Sequence, residues 1–409
     1  MIANSKTEVD ELAIFCGPKL FEEPKSTSSL VQPDFDRFLE YSKRFFDAAQ
    51  YTNNGPNVQL LEERLAAFHG TSYCVTFCSG FWALVLTIKA LVQNGKSEIV
   101  MPSLTYRRMA DIAAWARLKP RFCEVDGDTL ALSPAALEAC LNDESAIIMA
   151  VHPIVNCCDV AGICAVANER GLPLLFDGVE SAFETVPKGK IGAFGDAECF
   201  SMHASKLLNG FEGGYVTTNN EVLANRIKAT RNFGFTGQDN VSVAGGMNAK
   251  LCELHATMAL ANLDQIDTTV QENCDRYRTY QRLMPTVPGL RLLAFDETQK
   301  TSFKNIVMEV EPDWPTTRDE LVSILNAERI LARAYYAPPL HRKSMLYPHV
   351  PADLPLTDKL AARFISMPCG DFVTQSDIQR ILELLRFISL QGTNIREKLR
   401  TARAHNNAS

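Results

Sequence analysis

The sequence has no apolar run approaching the roughly 18 residues that a membrane-spanning helix needs, and so no membrane partner is expected. It also lacks a basic excess. A formal net charge of -7 argues against a nucleic-acid-binding surface, which would normally carry clustered positive charge. The start, MIANSKTEVDELAIF, has neither the basic residues nor the apolar stretch of a signal peptide. Twelve cysteines are present, yet their spacings give no paired CxxC zinc pattern: Cys74 and Cys78 are near neighbours, Cys157 and Cys158 adjacent, and the rest scattered. Without export they read as reduced, mostly buried residues, so neither a structural metal nor a disulfide framework is expected. The expected location is the cytoplasm. No internal repeat or low-complexity segment appears.

What is present is a chain of 409 residues, enough for a large core and for two or three domains. The first thirty residues, ending in the polar EEPKSTSS, read as a loosely held arm. Helical spacing follows in PDFDRFLEYSKRFFDAA and in NVQLLEERLAAFHG, the second closed by Gly70. Strands and helices then alternate. YCVTFC, EIVMPS, PRFCEV, AIIMAV, PLLFDG and ECFSM read as strands, and SGFWALVLTIKAL, YRRMADIAAWARL, SPAALEACL and CAVANERG as helices between them. The strands are near-continuous apolar runs, the pattern of a parallel sheet covered by helices on both faces. After GGYVTT the pattern changes, with helices around 220–232 and 249–283. A smaller α/β block with FKNIVMEV, TRDELVSILNAE and SDIQRILELLRFI follows. The expected division is an arm at 1–30, a large domain at 31–264, a small domain at 265–395 and a polar, frayed tail at 396–409.

Ligands of open parallel sheets sit beyond the carboxyl ends of the strands. Three motifs fall there: LPLLFDGVES ends its strand in Asp177, CFSMHASK leads to Lys206, and CVTFCSG turns through Ser79 and Gly80 into a helix. A helix start offers free N–H groups to an anion. Each feature alone has a structural reading: Asp177 as a helix cap, Lys206 as a surface lysine with a buried stem, Ser-Gly as an ordinary turn. Together, an acid, a lysine and a phosphate cradle suggest pyridoxal 5′-phosphate. That cofactor needs a lysine for its aldehyde, a carboxylate for its pyridine nitrogen and donors for its phosphate.

Over nearly its whole length the chain resembles the DegT/DnrJ/EryC1/StrS aminotransferases, fold type I pyridoxal phosphate enzymes that mostly aminate nucleotide-linked keto sugars. The most specific pieces are FSMHASKLLNGFEGGYVTTNN and GMNAKLCELHATMALANLDQID; VMPSLTY, NCCDV, LLFDGVESAF, GDAECF and YYAPPLHR are lesser matches. The resemblance implies that Lys206 forms the Schiff base and that Asp177 faces the pyridine nitrogen. It places Glu180 near the cofactor's phenolic oxygen, Ser201 on the phosphate with Ser79, Gly80 and Phe81, and Tyr106 against the ring. Asn248 matches an asparagine that reaches the phosphate from the neighbouring subunit, which implies a homodimer with shared active sites. His341 is a candidate substrate contact, whereas His203 and Glu212 are expected to be structural, His203 near the core. One departure is Phe81-Trp82, where the family usually carries a small or hydroxylated pair. Asn156-Cys157-Cys158-Asp159 replaces the family's Asn-Pro-Cys-Asp.

The activity implied is transfer of an amino group from glutamate or glutamine to a nucleotide-linked keto sugar, with dTDP-4-keto-6-deoxyglucose the nearest resemblance. A 3-keto sugar, another nucleotide carrier or a cyclitol ketone stay open. A sugar dehydratase of the same fold is the closest rival, although such relatives characteristically replace the lysine by histidine. A ligand-sensing regulator is the rival from another class.

Overall fold

The computed structural model describes residues 6–28, 31–237 and 240–406, with side chains to 401. The apolar runs form a seven-stranded sheet: β1 Tyr73–Phe77, β2 Glu98–Pro102, β3 Lys119–Cys123, β4 Ser145–Val151, β5 Leu174–Asp177, β6 Ala197–Ser201 and β7 Gly214–Thr218. Their spatial order is β1-β7-β6-β5-β4-β2-β3. The pairs among β2 to β6 are parallel, whereas β7 is antiparallel to both β6 and β1. The exception has a simple cause: the chain doubles back from β6 into β7 through the loop 202–213, with no helix to carry it across the sheet.

Every residue of β4 is buried, as two covered faces require. Successive side chains point to opposite faces. Ile148, Ala150 and Phe176 therefore join a core with Leu61 and Leu65 on one side, while Ile147, Met149 and Leu175 join one with Leu86 and Ile88 on the other. On the first side lie helices α1 (Phe35–Asp47) and α2 (Pro56–His69), and on the second lies α3 (Gly80–Leu91). Asp34 caps α1 by accepting from the Arg37 N–H at 3.0 Å, and Gly70 ends α2 in the left-handed conformation (φ 71°) that glycine tolerates.

A second sheet is wholly antiparallel: β8 Leu290–Leu292, β9 Ile306–Val310, β10 Arg333–Ala334 and β11 Phe364–Met367, ordered β8-β9-β11-β10. Helices Arg318–Ala327 and Gln375–Asn406 complete its core. The helical stretch anticipated at 249–283 is two helices, Glu253–Asp264 and Ile266–Leu283, with Gln265 at the break. The second helix starts in the core of the large sheet with Ile266 and ends in that of the small one with Tyr277 and Tyr280.

Both chain ends are held more firmly than their polarity suggested. Leu12, Leu20 and Phe21 are buried in the core of the second sheet. The buried Glu328 carboxylate accepts the N–H groups of Ala13 and Leu20, each at 2.7 Å, because a buried carboxylate needs donors. Toward the other end, the helix Gln375–Asn406 runs through the stretch expected to fray, and Leu399 is buried. Among the described residues, no helix is long and apolar enough to cross a membrane, and no group of three or more His, Cys, Asp or Glu could hold a metal.

Candidate active site

The carboxyl ends of β1, β5 and β6 and the start of β7 meet at one edge. Gly214 pairs with Ser201 on one side and Phe77 on the other, so it lies wedged beneath the turn that opens α3. A Cβ on Gly214 would stand 2.4 Å from the Gly80 nitrogen, and one on Gly80 would stand 2.9 Å from Ser201 Cβ. These two glycines permit a close approach of three chain segments. Ser79 caps α3, its Oγ accepting the Trp82 N–H at 3.3 Å. Gly80 and Phe81 supply the first N–H groups of the helix, which have no intrahelical acceptor. The Phe81 ring packs edge-on to Trp82 (5.5 Å), which in turn packs on Trp115 (5.2 Å). Backbone donors and Ser201 are therefore what this cradle offers an anion.

Lys206 is presented by the loop between β6 and β7, which is tied to itself. Met202 N–H donates to the Gly213 carbonyl, Gly210 N–H to Met202, and Lys206 N–H to His203, each at 2.8 Å. Asn209 fastens the loop from below, donating to the Val31 carbonyl at 2.8 Å and accepting the Phe211 N–H at 2.7 Å. His203 is half exposed rather than near the core, joining Ser205 Oγ at 2.9 Å and facing Glu212.

The Lys206 ammonium is hydrogen-bonded to Glu180 Oε1. Glu180 Oε2 accepts from Lys304 Nζ at 2.8 Å, so one carboxylate lies between two lysines. Burial works to raise the Glu180 pKa, but the charges of Lys206 and Lys304 outweigh it and lower it to about 2. Asp177 behaves oppositely. It is 2% exposed at the end of β5, and burial raises its pKa to about 6, against the pull of the Val179 N–H bond (3.1 Å) and of the charges of Lys206 and His152.

Other candidates fall into place around this cluster or away from it. Tyr106 is 48% exposed in the turn beyond β2, and half-buried Tyr336 lies within electrostatic range of Tyr106, Asp177 and Glu180. Asn248 is exposed on the loop after helix Glu221–Arg231 and makes none of the polar contacts of the cluster. Its neighbour Ala249 accepts the Cys78 N–H at 2.8 Å, which sets the loop against the end of β1. His341 makes none of the polar contacts of the cluster. Its side chain is fully buried, with Nδ1 2.7 Å from Ser103 Oγ and Nε2 3.2 Å from Asp358.

Sequence reasoning missed Lys304, 3% exposed, and Asn305, whose amide donates to the Ile154 carbonyl at 3.2 Å. Both precede β9 of the second sheet, and nothing in FKNIVMEV marks them. It also missed His152, stacked on Phe176 at 5.3 Å, whose backbone N–H donates to the Asp177 carbonyl at 3.0 Å.

A lysine, a buried acid and an anion cradle at adjacent strand ends are the donor set that pyridoxal 5′-phosphate requires. The close glycine contacts leave the cradle to backbone and serine, as a phosphate needs. The comparisons agree. The profile of the DegT/DnrJ/EryC1/StrS aminotransferase family matches residues 35–386. The dTDP-4-amino-4,6-dideoxy-D-glucose transaminase of Shigella dysenteriae is 27% identical over 368 residues, covering 90% of this chain and all of that protein. The GDP-perosamine synthase of Vibrio cholerae is 24% identical, covering 85% and 95%. The crystal structure of DesI with its TDP-sugar product superposes with a TM-score of 0.89 at 32% identity, covering 96% of this chain and 100% of that one. The chain therefore belongs to the DegT/DnrJ/EryC1/StrS aminotransferase family and is a pyridoxal phosphate-dependent sugar aminotransferase.

Proposed function

We propose that this aminotransferase moves an amino group from glutamate or glutamine to the keto carbon of a nucleotide-linked sugar of the dTDP-4-keto-6-deoxyglucose type. The observation that carries the site assignment is the juxtaposition of Lys206, Glu180 and Asp177 at the ends of β5 and β6. The names of two relatives, from Shigella dysenteriae and Escherichia coli, support the sugar. When bound, pyridoxal 5′-phosphate supplies an aldehyde for the donor's amine and a ring that accepts the electron pair left by the departing α-proton.

The chain's own residues do the rest. Lys206 holds the cofactor and, once displaced by the donor's amine, its Nζ takes the proton from the donor's α-carbon. In the second half, the same nitrogen returns a proton to the sugar carbon that receives the amine. Asp177 holds a proton on the pyridine nitrogen; a cation opposite it favours its ionised form, offsetting the burial that raises its pKa to about 6. Glu180, kept ionised by its two lysines, would be the polar group beside the phenolic oxygen. Ser201 and the turn at Ser79, with the N–H groups of Gly80 and Phe81, would hold the phosphate, and Tyr106 would stack on the ring.

The working unit is a homodimer in which Asn248 completes the partner's phosphate site. An exposed apolar face supports this reading. Phe35, Leu39 and Phe46 on α1 are 69%, 43% and 62% exposed. Phe211 and Leu254 are also exposed, and Phe211 packs edge-on to Phe38 at 6.3 Å. A patch of this kind marks an interface.

A panel of nucleotide keto sugars incubated with glutamate and read by mass spectrometry tests the substrate. The expected product is a 4-amino-4,6-dideoxy sugar on dTDP. Amination only of 3-keto sugars, GDP-linked sugars or cyclitols would overturn that choice.

A further inference from the structure

We propose that Lys304 is a positioning residue of the active site. It holds Glu180 ionised and in place from the side of the second sheet, so that Lys206 can give up its proton without stranding a buried carboxylate. The inference rests on the reading of Lys206 as the cofactor-bearing lysine.

A buried ammonium is costly unless paired. Lys304 is 3% exposed, and its Nζ donates to Glu180 Oε2 at 2.8 Å and to Asn305 Oδ1 at 3.4 Å. Asn305 is in turn anchored to the Ile154 carbonyl just past β4. The two oxygens of Glu180 are thus shared between the lysine of one sheet's loop and the lysine of the other sheet. Asp177 and Glu184 on one side, and Tyr335, Tyr336 and Cys369 on the other, are the further titratable groups facing the cluster.

Lys206 can attack an aldehyde only as the neutral amine. With Lys304 present, loss of a proton from Lys206 to solvent leaves Glu180 and Lys304 as a neutral pair. Without Lys304, the same loss leaves an unpaired buried carboxylate, which is strongly unfavourable. Lys304 thereby couples the second sheet to the readiness of the cofactor lysine.

The test measures capture of pyridoxal 5′-phosphate by cofactor-free protein across about pH 6 to 9, trapped with borohydride and quantified on the Lys206 peptide. In Lys304→Met, the pH of half-maximal capture rate should rise by about one unit, which is roughly a tenfold slower capture at a fixed lower pH. Lys304→Arg should stay near the parent. Glu180→Gln combined with Lys304→Met should return the midpoint to the parent's value or below, because no carboxylate remains to hold the proton on Lys206. That double variant keeps the comparison available if Lys304→Met alone does not fold. A folded Lys304→Met with the parent's capture profile would overturn the inference, as would a double variant whose midpoint stays above the parent's. A parent protein that forms no adduct on Lys206 would overturn the site reading and this inference with it.

Discussion

Asp177 and Glu180 lie in one short turn and are perturbed in opposite directions by their surroundings. Glu180 has two ammonium partners and an acidity near 2; Asp177 has none in direct contact and sits near 6. The sign for Asp177 follows from linkage. A raised folded pKa gives stability that is fully present below the unfolded value and is lost as pH rises through the folded one. The cofactor-free parent should therefore lose about 3 kcal/mol relative to Asp177→Asn between about pH 4 and pH 8, checked by urea unfolding of both proteins. A pH-independent difference would contradict the burial argument. In the loaded enzyme Asp177→Asn should cut kcat by about a hundredfold or more while retaining part of the cofactor binding, since a neutral amide cannot favour the pyridinium. At this scale, the placement of Lys206 and Asp177 at neighbouring strand ends was legible from their local motifs, and Glu180 was singled out by the resemblance alone. Lys304 was not, because it meets Glu180 across 124 positions of sequence. The surroundings of His341 were not legible either: Ser103 and Asp358, distant in sequence or beyond the loop, hold its ring inside the protein.

Among the elements, the three segments that meet at Gly80, Ser201 and Gly214 decide whether a phosphate cradle exists. A methyl on Gly214 would meet the backbone of Gly80 at 2.4 Å and 2.5 Å, and no side-chain rotation relieves backbone against backbone. Gly214→Ala should cost about 1–3 kcal/mol and lift α3 off the cradle, raising the dissociation constant for pyridoxal 5′-phosphate at least tenfold. Gly127→Ala, which meets nothing within 4 Å, serves as the control and should change stability by no more than about 0.5 kcal/mol. Equal effects of the two substitutions would refute the close-approach account. Apolar runs and helical spacing made the sheet and its covering helices readable. The anchoring of the arm was not legible, because a polar surface segment can still carry a few apolar residues such as Leu12, Leu20 and Phe21 that pack into a core. Its strand, Lys25–Ser26, is only two residues long, paired with Ile330–Leu331 near the other end of the chain.

For the whole molecule, the exposed aromatic face of α1 and the position of Asn248 on an outer loop lead to a prediction about assembly. Sedimentation should give twice the chain mass, and Leu39→Glu with Phe46→Glu should shift the protein toward the monomer. Mixing inactive Lys206→Ala with impaired Asn248→Asp should restore activity in hybrid dimers, up to about a quarter of the parent level for random pairing of subunits with shared sites. Hybrids that form without recovering activity would show that each site is built from one chain. The homodimer is expected from the resemblance through Asn248, but the uncovered face of α1 was not visible in composition or periodicity, because an amphipathic helix reveals an exposed apolar side only once its partners in the same chain are counted.

The most direct measurement of the central claim is borohydride reduction of the protein loaded with pyridoxal 5′-phosphate, followed by peptide mapping. The account predicts a single pyridoxyl group on Lys206, absent from Lys206→Ala. A label on another lysine, or none in a folded protein saturated with the cofactor, would contradict it.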